Sequence, residues 1–266
     1  MDTARIAELL QPFLQSAQGG CHSEPAKAGE ACPGPSRREP AALSPAQLQS
    51  ISTYIDILLR WNARINLTAI RDPEEIVLRH FGESLFASSQ LLNPQPSESS
   101  VVKSLSSVSS ESSVVDSPSS LSSASSVVDS FCLVADLGSG AGFPGIPLKL
   151  WAPQISLTLI ESNHKKATFL REVVRSLALT NVNIRNARAE SLTETFGLVT
   201  LRAVEDFASI LPTAAALVAP GGRMGLLVGA AQIEPARASL PHLSWSDPVP
   251  IPLSTSRVLF AGRRQR

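Results

Sequence analysis

At 266 residues the chain is long enough for one large domain, or for a domain with a smaller appendage. Its 43% hydrophobic content can bury a sizeable core, and 23 basic against 23 acidic side chains exclude a bulk field that pulls it onto nucleic acid or a membrane. Contact with nucleic acid must then come from local basic patches. The three cysteines, Cys21, Cys32 and Cys132, form no Cys-x-x-Cys pair, and Cys21-His22 with Cys32 lacks a fourth ligand, so no metal is expected. No apolar run approaches a membrane span, and the opening MDTARIAELLQPFL lacks the charged leader of a signal peptide. A cytoplasmic location without a membrane partner is the expectation.

In chain order, MDTARIAELLQPFL reads as an amphipathic helix. Residues 15–42, rich in Pro, Gly and charge without periodicity, read as a disordered linker. Ser44-Pro45 is a helix start, a cap followed by a first-turn proline, and Leu48, Ile51, Tyr54, Ile55, Leu58 and Leu59 line one helical face. Asp72-Pro73-Glu74-Glu75 starts another helix, carrying Ile76, Val77, His80, Phe81 and Leu85. Residues 93–130 are serine-rich and repeat SSVVKS or SSVVDS at Ser99, Ser112 and Ser125. Such a composition cannot bury enough surface to offset chain entropy, so a tolerated surface insertion is expected, with a phosphorylated regulatory tether as the alternative.

From Phe131 the pattern alternates. Strands are expected at Phe131–Asp136, Ile155–Glu161, Val182–Ala187, Leu198–Leu201 and Arg223–Val228, and helices at Pro144–Trp151, His164–Leu179 and Asp206–Val218. Val258-Leu259-Phe260 is expected to add an edge strand. The alternation implies βαβ units: a doubly wound, mostly parallel α/β sheet behind a helical N-terminal cap. The expected organisation is a cap over 1–92, the insertion over 93–130 and a Rossmann-like domain over 131–266.

The stretch ADLGSGAGFPGIPLKL carries the chemistry. A Walker loop needs Gly-Lys-Ser/Thr, but Gly145 precedes Ile146. A dinucleotide fingerprint counted from Gly138 meets Phe143 where its third glycine belongs, which weakens that reading without removing it. Asp136, Gly138, Gly140 and Gly142 satisfy Asp-x-Gly-x-Gly-x-Gly, typical of S-adenosylmethionine enzymes. Glycines let a ligand approach the backbone, and the absence of a cation before Lys149 suits a sulfonium better than a pyrophosphate. A turn that merely joins strand to helix is the plain alternative. Glu161, at the end of the next strand, is placed to accept ribose hydroxyls; taken alone it reads equally as a cap of the following helix. Ala189-Glu190 would edge the adenine, or leave Glu190 as a solvated loop carboxylate.

These residues, with WNARINLTAI and EEIVLRHFGESL, resemble the RsmG (GidB) family of bacterial 16S ribosomal RNA guanine-N7 methyltransferases. The resemblance runs from about Leu48 to Gly229 on both sides of the serine segment. Its most specific pieces are Asn66-Leu67-Thr68, His80 with Glu83-Ser84, the loop through FPGIPL, RAESL at Arg188–Leu192, and Arg202-Ala203. It implies that S-adenosylmethionine is held at Gly138, Phe143, Ala189, Glu190 and Arg202, and in some members at the Glu161 strand end. The chain departs from the family at Glu83, usually Asp, and at Val228, often Lys.

Residue chemistry narrows the methyl transfer. No cysteine follows Cys132 to attack a pyrimidine, and no lysine follows Lys166 to serve ribose methylation. Leu201-Arg202-Ala203-Val204 is not the Asn/Asp-Pro-Pro-aromatic stretch of many amine methylases. Guanine N7 carries no proton, so its methylation needs placement rather than a general base, and no catalytic residue is expected. A non-catalytic RNA-binding protein shares that absence. Methylation of another RNA or of a small molecule is the alternative within enzymes. An NAD-dependent oxidoreductase lacks its hydride-handling residues, because the only tyrosine is Tyr54. Arg202 suits a methionine carboxylate or an RNA phosphate. Asn66, Arg79, His80 and Ser84 are candidate RNA-lining residues, with structural packing as their alternative. Further basic contacts are expected from Arg60, Arg64, Arg71, Lys165, Lys166 and the Arg263-Arg264-Arg266 tail. The expectation is a monomer acting on 16S ribosomal RNA.

Overall fold

The computed structural model describes residues 1–15, 42–92, 133–202 and 206–266. The expected linker (from residue 16 to 41), the serine segment, Phe131-Cys132 and Ala203-Val204 lie outside the described residues. Helix α1 (Thr3–Gln15) buries Ile6, Leu10 and Phe13, spaced four and three apart on one face. Helix α2 (Pro45–Asn62) begins on a full capping box: Ser44 accepts from the Gln47 amide, and the Gln47 side chain accepts from the Ser44 amide. Helix α3 (Pro73–Ile76), capped by Asp72, runs through a π-helical turn (Val77–Gly82) into α4 (Glu83–Leu92). A Cβ at Gly82 would stand 2.4–2.7 Å from ring carbons of Phe13, so only glycine lets α1 lie on the π turn.

The sheet follows: β1 (Leu133–Leu137), α5 (Gly145–Trp151), β2 (Ser156–Ile160), α6 (His164–Ser176), β3 (Val182–Arg185), β4 (Phe196–Arg202), α7 (Phe207–Ala216), β5 (Val218–Gly229), α8 (Ile233–Ser239), β6 (Leu243–Trp245), β7 (Val249–Pro250) and β8 (Arg257–Arg264). Strands lie in the order β3-β2-β1-β4-β5-β8-β6, with β7 also on β8. The first five are parallel, and β8 runs antiparallel to β5, β6 and β7. Helix α6 stops at Ser176 rather than Leu179, because Ala178 adopts φ 49°. The strand expected at Arg223 begins at Val218 and includes Pro220-Gly221-Gly222.

One expectation is corrected. Val258-Leu259-Phe260 does not form an edge: β5 covers one side of β8 and the short β6 and β7 the other. The antiparallel direction of β8 also pairs Arg263 with Arg223, the amino-most residue of β5 in that ladder. The arginine tail therefore lies at the sheet edge opposite the carboxyl ends of β1–β5, and Arg264 donates to the Ala216 and Val218 carbonyls beyond α7.

Central strands are buried on both faces, as parallel strands under two helical layers must be. All seven residues of β4 are buried. Val134 and Leu198 join a core with α1, α2, α4, α5 and α6, whereas Ala135 and Val199 face α7 and α8. The N-terminal helices thus share one continuous apolar core with the sheet.

Candidate functional site

Strand order reverses between β1 and β4, which open a crevice at the carboxyl edge, the usual ligand position in such sheets. The glycine loop springs from β1 at that point. Gly138, Gly140 and Gly142 all take positive φ (64°, 53° and 84°). They do so for different reasons. A Cβ at Gly142 would stand 2.4 Å from the Tyr54 hydroxyl oxygen, so packing demands glycine there. A Cβ at Gly140 would meet only the Gly138 carbonyl oxygen, at 3.7 Å, so the space above it is open to a ligand.

Asp136 lies beneath the loop with no exposure. Its carboxyl accepts from Thr200 Oγ1 at 2.9 Å and from the Gly145 amide at 3.3 Å. Burial pushes its pKa up to about 7, against the hydrogen bonds that lower it. Asp136 braces the loop and faces away from the opening. Lys149, the cation after the loop, is spent on the Pro153 and Ile155 carbonyls, at 2.6 and 2.5 Å.

Glu161 stands at the end of β2 and reaches back to the loop. Its Oε2 accepts from the Gly140 amide at 2.8 Å and its Oε1 from the Asn163 amide at 2.7 Å. The side chain of Asn163, rather than Glu161, caps α6, accepting from Lys165 and Lys166. Each carboxylate oxygen has two lone pairs, so both keep room for one further donor. Asn186, beyond β3, donates to the Glu161 and Ser162 carbonyls and ties this turn to the next. The Ala189–Ser191 turn follows, with Ala189 buried and Glu190 exposed.

Phe143 closes the loop, but its ring points into the N-terminal helices. It stacks on Tyr54 (5.4 Å between centroids) and on His80 (4.8 Å) and meets Phe81 edge-on. The Tyr54 hydroxyl donates to the Ala141 carbonyl. What Phe143 offers a ligand is therefore its backbone.

Across the crevice, Arg202 ends β4. Its Nη2 donates to the Arg79 carbonyl (2.5 Å), Glu83 Oε2 (3.1 Å) and His80 Nδ1 (3.2 Å). Burial lowers its pKa to about 10, opposed by Glu83. A guanidinium has only protons to give, so His80 Nδ1 accepts, and His80 Nε2 carries the hydrogen donated to Thr68 Oγ1 at 2.8 Å. His80 is neutral: burial and then Arg202 push its pKa down to about 3.

The structure thus gathers Asp136, Gly138, Gly140, Phe143, Glu161, Ala189, Glu190 and Arg202 at one edge. The RNA candidates do not form one lining. Arg79 is half-exposed beside Glu83, and Asn66 is exposed in the loop after α2. Ser84 has no exposure and donates to the His80 carbonyl, so it packs the helix interior. Sequence reasoning missed Asn62, whose amide holds Leu67 N, Thr68 N and the Thr68 carbonyl and so shapes the Asn66-Leu67-Thr68 loop. It also missed Arg257, bonded to Glu83. Among the described residues no cluster of His, Cys, Asp and Glu can hold a metal, and no helix is long and apolar enough to cross a membrane.

A family model described as rRNA small subunit methyltransferase G matches residues 47–102 and 104–244. The ribosomal RNA small subunit methyltransferase G of Stenotrophomonas maltophilia (strain K279a) is 37% identical over 184 residues, 68% of this chain and 67% of that protein. Its namesake from Xanthomonas campestris pv. campestris (strain B100) is 35% identical over 178 residues, 66% of each chain. The matched region thus spans about two thirds of the length of these relatives. Among solved structures, magnesium protoporphyrin IX methyltransferase from Synechocystis PCC 6803 with bound SAM is 17% identical, covering 52% of this chain and 74% of that one, with a TM-score of 0.43. With the family model covering most of its length, from α2 to β6, the chain belongs to the rRNA small subunit methyltransferase G family.

Proposed function

We propose that the chain transfers a methyl group from S-adenosylmethionine to N7 of a guanine in 16S ribosomal RNA, acting as a cytoplasmic monomer. The observation that carries this reading is the loop after β1, open above Gly140 and tied to the Glu161 carboxylate, in a chain of this family. The donor set fits the cofactor: an acidic ribose acceptor, glycine backbone without a Cβ, and a loop that carries no cation before Lys149. When bound, S-adenosylmethionine supplies an electrophilic methyl group.

Glu161 accepts the ribose hydroxyls, Gly138, Gly140 and the Phe143 backbone line the cofactor, and Ala189-Glu190 edges the adenine. Arg202 closes the site from β4. Asp136 positions the loop from below, and Phe143 ties it to the N-terminal helices. Cofactor then lies over β1–β3, and RNA enters on the side of β4, β5 and β8, where Arg79 and Asn66 meet it. His80 and Ser84 hold the surroundings of Arg202 rather than the RNA.

The state of His80 supports a reaction without a general base. Both of its ring nitrogens are committed, to Arg202 and Thr68, and it stays neutral. Guanine N7 presents a lone pair and no proton, so the protein has only to align it with the methyl group. Duplex RNA hides N7 in a deep, narrow groove, so the target guanine stands in a loop or turned out of its stack.

The test is mass spectrometry of 16S RNA treated with the protein and S-adenosylmethionine, followed by reduction and aniline cleavage. One cleavage is expected, and none with Gly140→Val. A methyl group that resists cleavage sits on another atom and overturns the assignment.

A further inference from the structure

We infer that the Glu83-centred arginine cluster is a binding site for a backbone phosphate of the RNA, beside the methyl-transfer crevice; this rests on the reading above. Glu83 is 1% exposed, and three guanidiniums converge on it. Arg79 Nε donates to Oε1 at 3.2 Å, Arg202 Nη2 to Oε2 at 3.1 Å, and Arg257 Nη1 to both oxygens at 3.2 and 3.1 Å. They come from three elements: the π turn, the end of β4 and the start of β8. Arg257 faces Gly229 at the carboxyl end of β5, so all three stand on the RNA side of the crevice.

Three positive charges meet one negative charge, and His80 between them is neutral. Among the described residues the other acid near Arg202 is Asp136, fully buried beneath the loop; even ionised, it leaves these three arginines in excess. Arg202 is sealed in, but the side chains of Arg79 and Arg257 remain 45% and 20% exposed and hold the excess charge toward solvent. Buried Glu83 keeps these two guanidiniums side by side, so little side-chain freedom is left to lose when an anion arrives.

The cofactor does not neutralise this excess. Its carboxylate is offset by its own ammonium, and the sulfonium adds one more positive charge. A polyanion does, and a phosphodiester oxygen fits two adjoining guanidinium forks. A contact here fixes the register of the RNA relative to the methyl group without reading a base.

The experiment measures binding of 16S RNA transcript across salt concentrations for the full chain, Arg79→Gln, Arg257→Gln and the double variant, alongside S-adenosylhomocysteine calorimetry. The double variant should bind RNA roughly tenfold more weakly. Its log–log salt slope should fall by about 0.7–0.9, the loss of one neutralised phosphate, with S-adenosylhomocysteine affinity within about twofold of the parent. An unchanged slope overturns the inference, as does an equal loss of S-adenosylhomocysteine binding, which would assign the arginines to the cofactor. If Arg257→Gln unfolds, Arg79→Gln paired with Arg257→Lys carries the test. The Lys substitution alone should retain the slope, and a folded Arg257→Lys that loses it refutes the phosphate contact. Failure of the methyltransferase reading shows separately, as absent methylation by the parent.

Discussion

Replacing Asp136 with asparagine should stabilise the protein above neutral pH. The Asp136 carboxyl is fully buried, and desolvation raises its pKa from 3.8 to about 7 despite hydrogen bonds from Thr200 and Gly145. The folded state therefore holds this proton more tightly than the unfolded chain. Stability is fully present below about pH 4, falls as pH rises toward 7, and levels off once both states are ionised. A displacement from 3.8 to about 7 amounts to on the order of 4 kcal/mol. Asparagine escapes this cost and keeps the hydrogen bonds. Its amide oxygen accepts from the Gly145 amide, and its nitrogen donates to Thr200 Oγ1, whose hydroxyl already reaches the Ala135 carbonyl at 3.3 Å. Urea unfolding of both proteins at pH 5, 7 and 8.5 reads the difference, and the comparison cancels the titration of every other group. The advantage of Asp136→Asn should grow from pH 5 to 7 and then stay constant. A pH-independent difference, or a variant less stable at pH 8.5, refutes the reasoning.

Gly142→Ala places a Cβ 2.4 Å from the Tyr54 hydroxyl oxygen at φ 84°, and should destabilise by roughly 1–3 kcal/mol in urea. Adding Tyr54→Phe should return part of that loss; no recovery would show that the hydroxyl is not the obstacle. Gly140→Val, in open space, should fold with a modest penalty for its positive φ and yet bind no S-adenosylhomocysteine by calorimetry. Glu161→Ala should weaken that binding by about 1.5–3 kcal/mol, and parent-like affinity would move the ribose elsewhere. The folded pKa of His80 is depressed, so its contribution is present above pH 6.5 and lost as pH falls toward about 3. His80→Gln should flatten this acid limb in pH-dependent thermal unfolding, and an unchanged limb would show that another group titrates there.

What the sequence showed is what local chemistry decides. Ser44 and Asp72 each cap a helix within three residues of themselves, and the glycine loop declares its backbone by composition alone. The order of the candidate residues along β1 to β4 follows from right-handed parallel crossovers. The misses are long-range. Arg257 meets Glu83 across 174 residues and Tyr54 reaches Ala141 across 87, and no periodicity carries such pairings. β8 looked like an edge because its outer partners, of three and two residues, are too short to announce themselves. Asn66 drew notice in the family motif, whereas the loop is held by Asn62, the last residue of α2.

The π turn at Val77–Gly82 makes the site a matter of helical phase. A π turn is in effect an α-helix with one residue too many, and within it the carbonyls of Arg79 and His80 accept from the Arg202 guanidinium. Deleting one residue would restore an unbroken α-helix and rotate everything before the turn by about 100° against everything after it. Ile76 upstream and Glu83 and Leu85 downstream, all buried now, would no longer face inward together. The segment cannot be trimmed to a regular helix without giving up either the anchoring of α3 in the core or the seat of Arg202. A library of single-residue deletions across this chain should therefore be emptied at 77–82.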